Sequence, residues 1–89
     1  MPRETIKISN KLGLHARAAA KLVQTAARFE SEISLIRDAK HVNGKSIMGV
    51  MMLAAGKGVE VEIDATGADA DAALTALVTL INEKFGEPE

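Results

Sequence analysis

The 89-residue sequence contains no cysteine, no tryptophan and no tyrosine, and two phenylalanines are its only aromatic residues. Without cysteine the chain can form neither a disulfide framework nor a thiolate metal site. It also lacks an aromatic platform for nucleic-acid bases, and its formal net charge of −1 provides no basic surface for a phosphate backbone. No apolar run approaches the roughly 18 residues that span a bilayer. We therefore expect no nucleic-acid partner, no membrane association and a cytoplasmic location.

The chain does contain enough apolar sequence for one small core. Hydrophobic residues make up 47% of it, which is typical of a globular protein and not of a disordered one. A chain of this length usually folds as a single domain, because it can bury one modest core and little more. No linker, repeat or low-complexity segment interrupts the sequence. The prediction is therefore one domain over residues 1–89.

Four short segments have the two-residue hydrophobic period of half-buried strands. They are Thr5 to Ser9, with Ile6 and Ile8 on one face, Glu32 to Ile36, His41 to Asn43, and the segment that contains Val59, Val61 and Ile63. Asp38-Ala39-Lys40 indicates a hairpin turn between the second and third strands.

Three segments have the helical period instead. They are Ala16 to Arg28, Ile47 to Ala54, and Ala70 to Lys84, whose buried stripe is Leu74, Leu77, Val78, Ile81 and Phe85. Ser46 and Asp69 are expected to be the N-caps of the second and third helices. The order β-α-β-β-α-β-α predicts a two-layer α/β (α+β) sandwich, in which three helices cover one face of a four-stranded antiparallel sheet.

The most informative segment is Gly13-Leu14-His15-Ala16-Arg17, at the start of the first predicted helix. The N-terminus of a helix binds anions through its free backbone N–H groups. Histidine can form covalent intermediates, and its reference pKa of about 6.5 leaves it mostly neutral and nucleophilic at cytosolic pH. The N–H groups of Ala16 and Arg17, with the Arg17 guanidinium, could stabilise phosphoryl oxygens. The residues alone leave two interpretations open: a phosphoryl-accepting histidine, or an ordinary surface or capping histidine.

Two segments resemble the HPr family, the histidine-containing phosphocarriers of the phosphoenolpyruvate phosphotransferase system. They are Asn10-Lys11-Leu12-Gly13-Leu14-His15-Ala16-Arg17 and Lys45-Ser46-Ile47-Met48-Gly49-Val50-Met51. The resemblance covers nearly the whole chain and implies an HPr-like fold. It also implies that His15 accepts a phosphoryl group on Nδ1 from enzyme I and passes it to an IIA-type protein, with Arg17 as its charge partner. We expect no cofactor, no metal and a monomer. The sugar-uptake and nitrogen-related branches of the system both remain open.

One position departs from the family pattern. HPr proteins usually have proline after the arginine, and Ala18 stands there in this chain. Proline in the first turn of a helix presets φ and has no N–H group to satisfy. Because alanine is a good helix former, we expect the helix to persist and the loop at His15 to be looser.

Ser46 has two compatible interpretations. It is a good N-cap residue, and a cap of this kind contributes about 1 kcal/mol. In HPr-like proteins with this motif, a serine kinase/phosphorylase modifies the serine, which implies regulatory phosphorylation here. A phosphate at a helix N-terminus is electrostatically favourable, so one residue can serve both purposes.

The helix after Ser46 is apolar nearly all round, although so small a domain cannot bury both of its sides. We expect Val50, Leu53 and Ala54 to pack on the sheet. The other side would form an exposed partner-docking patch, supported by positive charges that attract an acidic rim. The residues of this patch are Ile47, Met48, Met51, Lys21 and Lys45, with Arg17 nearby. The alternative is an ordinary core with methionine filling gaps.

Two classes of function therefore compete. The first is a phosphocarrier, an intermediate that is consumed and regenerated and does not turn over a substrate of its own. The second is a regulatory protein-binding module of the same fold that does not transfer phosphate. His41, the other histidine, is expected to be a solvated surface residue.

Overall fold

The architecture is organised around one antiparallel sheet. The structure, a computed structural model, describes residues 3–53 and 55–88. Its strands are β1 (Arg3–Lys7), β2 (Glu32–Arg37), β3 (Lys40–Asn43) and β4 (Glu60–Thr66), in the spatial order β1-β4-β2-β3. All three neighbouring pairs are antiparallel. The predicted hairpin is present, with Arg37 opposite Lys40.

Three helices cover one face of this sheet: α1 (Ala16–Ala26), α2 (Ile47–Met52) and α3 (Ala70–Asn82). The element order confirms the predicted two-layer sandwich. Ala54, expected at the end of α2 and on its packed face, lies outside the described residues. Within the described ranges, no helix combines the length and the apolar character that crossing a membrane requires.

The core lies between the sheet and the helices, and the alternation along the strands determines its sheet side. The buried strand-side residues are Ile6, Ile8, Ile33, Leu35, Val61, Ile63 and Ala65. The helices contribute Ala18, Ala19, Leu22, Ala26, Val50, Leu53, Ala73, Leu77 and Ile81. Burial of a single side chain such as Leu22 contributes about 1.5–3 kcal/mol relative to exposure. Leu74 and Val78, expected in the buried stripe of the third helix, are partly buried and pack against this core, as does Val23 of α1.

The C-terminal helix ends earlier than its hydrophobic period predicts. Regular α-helix stops at Asn82, and Lys84 and Phe85 both adopt a left-handed φ of 57° in a short 3-10 turn. Phe85 is nevertheless fully buried, and its carbonyl accepts a hydrogen bond of 2.6 Å from Lys21 Nζ. These contacts offset a backbone cost of roughly 1–3 kcal/mol per left-handed residue other than glycine. The chain after Phe85 therefore leaves the helix axis.

Asp69 occupies the N-cap position of α3, as expected, but its side chain does not cap that helix. Its carboxylate instead accepts hydrogen bonds from the backbone N–H groups of Glu30 and Ser31, both at 2.9 Å, and from the Ser31 hydroxyl. The Ser31 hydroxyl and the Glu30 N–H lower the pKa of the Asp69 carboxyl below its usual value of 3.8. Asp69 thus joins the loop before β2 to the start of α3, and the expectation of a side-chain cap was wrong.

Replacing Asp69 with asparagine removes a charge that three donors stabilise. A carboxyl whose pKa is lower in the folded state stabilises the fold above its unfolded pKa, and this contribution is lost as the pH falls through the folded pKa. We expect Asp69→Asn to lower the free energy of unfolding at neutral pH, and the difference to shrink as the pH falls below 3.8. Urea unfolding followed by circular dichroism measures this, with the exposed Asp71→Asn as the control. A difference that stays constant with pH would contradict the electrostatic origin.

Candidate functional site

His15 is the N-cap residue of α1. Its backbone is extended, with φ −75° and ψ 176°, and its carbonyl accepts the first helical hydrogen bond, from Ala19 N–H at 2.8 Å. The imidazole makes no capping hydrogen bond to the helix, and 26% of the side chain is exposed. The capping interpretation of this histidine is therefore not supported. The His15 side chain therefore leaves the N–H groups of the first turn, at Ala16 and Arg17, without a cap.

Gly13 allows the loop before His15 to approach another part of the chain closely. Its φ is +64°, and a Cβ at this position would lie 2.6 Å from the Ala55 carbonyl oxygen and 2.7 Å from Gly56 Cα. Directly after it, Leu14 N–H donates to the Ala55 carbonyl at 2.9 Å. A side chain at residue 13 would therefore push the His15 loop away from its support.

A carboxylate that neither motif contains contacts the His15 ring. Glu87 Oε2 lies 2.6 Å from His15 Nε2, and Glu87 Oε1 accepts from Asn10 Nδ2 at 3.1 Å. The hydrogen bond with His15 lowers the pKa of the Glu87 carboxyl below its usual value of 4.5, and the Asn10 amide and the charge of Arg17 act in the same direction. Glu87 belongs to no periodic segment and to neither motif, so no sequence signal pointed to it.

A shallow cleft of about 260 Å³ surrounds this pair. It is lined by Lys11, Leu12, His15, Arg17, Glu87 and Pro88. A larger hollow of about 620 Å³ lies on the strand side, where Thr5, Lys7, Glu60 and Glu62 are among its lining residues. A hollow of about 350 Å³ includes His41 in its lining, but no arginine lines it, whereas the His15 cleft combines a histidine with Arg17. Among the described residues, no group of three histidine, aspartate or glutamate side chains is arranged to hold a metal ion.

Ser46 caps α2 as predicted, because its hydroxyl oxygen accepts from Gly49 N–H at 3.1 Å. The apolar residues of α2 and of its C-cap divide as expected, since Val50 and the C-cap Leu53 are fully buried. Ile47, Met48 and Met51 are exposed by 44%, 73% and 42%. Met52 and Leu12, which were not among the residues predicted for the patch, are exposed as well.

The two lysines assigned to the docking patch also have structural contacts. Lys21 Nζ donates to the Phe85 carbonyl, and Lys45 Nζ donates to the Phe29 carbonyl at 2.7 Å. Each ammonium has three donors, so their positive charge still contributes to the surface. Helix α2 packs against α1, which brings the helix of the Ser46 motif beside the helix that His15 begins.

Fold and site together define a class of protein: a small two-layer domain that holds one partly exposed histidine at a helix N-terminus, next to an arginine. The model of a family described as "PTS HPr component phosphorylation site" matches residues 2–83. The chain belongs to the HPr family of the phosphotransferase system.

Individual relatives agree with this assignment along the full chain. The phosphocarrier protein HPr of Neisseria meningitidis is 54% identical over 89 residues, which cover 100% of both chains. A crystal structure of HPr from Thermoanaerobacter tengcongensis has a TM-score of 0.97 and 52% identity, again with 100% coverage of both chains. An HPr dimer from the same organism has a TM-score of 0.79 and 53% identity, and covers 98% of this chain and 100% of that one. A dimer therefore exists among the similar proteins, and the monomer stays a prediction.

The departure at Ala18 does not disturb the helix. Ala18 is fully buried, and α1 begins at Ala16 with regular geometry. The helix persists without a proline in its first turn, as expected.

Substitution of Gly13 tests the support of the His15 loop. We expect Gly13→Ala to lower the free energy of unfolding by about 2 kcal/mol or more, because the added Cβ meets backbone atoms at a left-handed φ. Gly56→Ala is a matched control, since a Cβ at Gly56 meets nothing within 4 Å. Chemical unfolding of both variants measures the difference. Equal stabilities would show that the loop shifts without cost.

Proposed function

We propose that this protein is a phosphocarrier in which His15 accepts a phosphoryl group from enzyme I and passes it to IIA-type proteins. Membership of the HPr family supports this role, and relatives over the full chain carry the name phosphocarrier protein HPr. The observation that supports it most directly is the hydrogen bonding of the His15 ring. Its Nε2 is engaged by Glu87, which leaves Nδ1, the nitrogen that the family uses, as the nucleophile.

The chemistry requires little beyond position and charge. The Nδ1 lone pair forms a bond to phosphorus, while the bond between phosphorus and the donor breaks and its electron pair returns to the donor. The N–H groups of Ala16 and Arg17, with the Arg17 guanidinium, stabilise the charge on the phosphoryl oxygens. This stabilisation is moderate, because the site is partly open to solvent and Arg17 is the arginine that lines it. A carrier must also release its phosphoryl group, so moderate stabilisation suits transfer in both directions.

We further propose that the exposed side of α2 is the docking patch for both partners. Ile47, Met48, Met51, Met52 and Leu12 present large apolar side chains to solvent. Flexible methionine suits a surface that meets different partners. Arg17, Lys21 and Lys45 add positive charge that attracts an acidic partner surface. Regulatory phosphorylation of Ser46, a monomeric state and a cytoplasmic location belong to the same proposal.

Labelling tests the carrier function. The protein is incubated with enzyme I and radiolabelled phosphoenolpyruvate, and the expected product is an acid-labile phosphoryl adduct. His15→Ala should form none, whereas His41→Ala, which removes an exposed histidine of β3, should be labelled like the parent. Arg17→Ala should slow labelling by about tenfold or more, because it removes a charge-assisted donor. A parent protein that takes no label would support the non-transferring binding module instead.

Charge at Ser46 tests the docking patch. We expect Ser46→Asp to weaken enzyme I binding by about tenfold, roughly 1.4 kcal/mol, since it puts a negative charge beside an apolar surface that the partner must desolvate. Aspartate is also a good N-cap, so the helix should persist. Ser46→Ala, which removes the cap without adding charge, is the control, and titration calorimetry measures both. Equal affinity of the Asp variant and the parent would place the docking surface elsewhere.

A further inference from the structure

Both carboxylate oxygens of Glu87 are engaged, each by a different partner. Oε2 faces His15 Nε2, and Oε1 accepts from the Asn10 amide. The Glu87 side chain is only 12% exposed. The carboxylate is therefore fixed in orientation, with one oxygen in contact with the imidazole.

Asn10 binds the other oxygen of this carboxylate and so fixes its orientation. It is fully buried, and its Nδ2 donates both to the Gly13 carbonyl at 2.9 Å and to Glu87 at 3.1 Å. The opposite amide orientation would turn Oδ1 toward a carbonyl and a carboxylate, so the acceptors on both sides require the observed one. Its Oδ1 is buried without a hydrogen-bond partner among the described residues. An unsatisfied buried acceptor is unfavourable, and such groups are found where a residue has a functional role.

The position of Glu87 is fixed from the other side by the core. Phe85 is buried two residues earlier, and its carbonyl is held by Lys21 Nζ. Lys84, Phe85 and Gly86 all have positive φ, at 57°, 57° and 78°. This turn redirects the chain from the end of α3 to the start of α1. The buried Phe85 ring and the Asn10 amide together place the Glu87 carboxylate against His15.

We propose that Glu87 is a positioning residue that keeps the proton of His15 on Nε2, and that Asn10 orients it for this role. The inference rests on the proposed phosphocarrier function and extends it. A carboxylate can only accept, so it favours the tautomer with Nε2–H and leaves the lone pair on Nδ1. When Nδ1 bonds to phosphorus, the proton stays on Nε2 and the ring becomes cationic. The Glu87 carboxylate balances that charge until the N–P bond breaks and the phosphoryl group passes to the acceptor.

The tautomer is read directly from the nitrogen chemical shifts of the unphosphorylated protein, labelled with ¹⁵N-histidine, at about pH 8.5, where an ordinary histidine is neutral. The parent should show Nε2–H at His15. Glu87→Gln should invert this, because the glutamine carbonyl takes the Asn10 donor and its NH₂ then faces Nε2, so the proton moves to Nδ1. The side chain of free histidine already favours Nε2–H, and the inversion is therefore the decisive result. His41 in the same spectra is the internal control.

Transfer rates give a second readout. We expect Glu87→Gln to slow phosphorylation by about tenfold more than Glu87→Ala, since a proton on Nδ1 blocks the nucleophile whereas the alanine variant only loses orientation. Glu83→Gln, an exposed glutamate before the same turn, should behave like the parent. Glu87→Gln with Nε2–H at His15 and a rate equal to that of Glu87→Ala would overturn the inference. Failure of the parent to become phosphorylated would instead reject the proposed function, and the nitrogen shifts would still decide the role of Glu87.

Discussion

The close approach between Gly13 and the Ala55 carbonyl is the constraint on which the site depends. It joins two parts of the chain that are far apart in the sequence: the loop before α1 and the segment between α2 and β4. A residue with a Cβ cannot occupy this point without moving backbone atoms. The position of His15, the start of α1 and the contact of Asn10 with Glu87 all depend on where this loop lies. The chemistry of the site is thus built on a backbone contact that contains no reactive group.

The sequence predicts most of the fold, because β2 and β4 alternate and bury one face each, and Ile6 of β1 and Val42 of β3 pack on the same core. The hairpin, the three helices and the Ser46 cap follow from local patterns, and local patterns are what a sequence shows most directly. Asp69 marks the limit of this approach. Its residue type and position suggested a helix cap, and it does sit at the cap position. Its hydrogen bonds go to Glu30 and Ser31, which only the tertiary fold brings within reach.

The site shows the same division. His15 and Arg17 follow from a motif with a chemical reason behind each residue type. Glu87 does not, because it lies 72 residues from His15. The hydrophobic period placed Phe85 in the buried stripe of a helix predicted to continue to Lys84, which is correct about burial but not about conformation. A buried ring fits either a helix or a left-handed turn, and only the direction of the chain after it distinguishes the two. That direction brings the carboxylate to the imidazole.

The anchoring of Phe85 has a consequence for how the protein is made. His15 emerges from the ribosome first, and the core residue Phe85 and the carboxylate of Glu87 follow about 70 residues later. At roughly 5–20 residues per second, several seconds separate them. During that interval the nascent chain has its histidine but neither the ring that closes the end of the core nor the group that holds the imidazole. The site is therefore assembled after synthesis has passed Glu87. In a chain that terminates before this residue, His15 lacks the carboxylate that positions its ring.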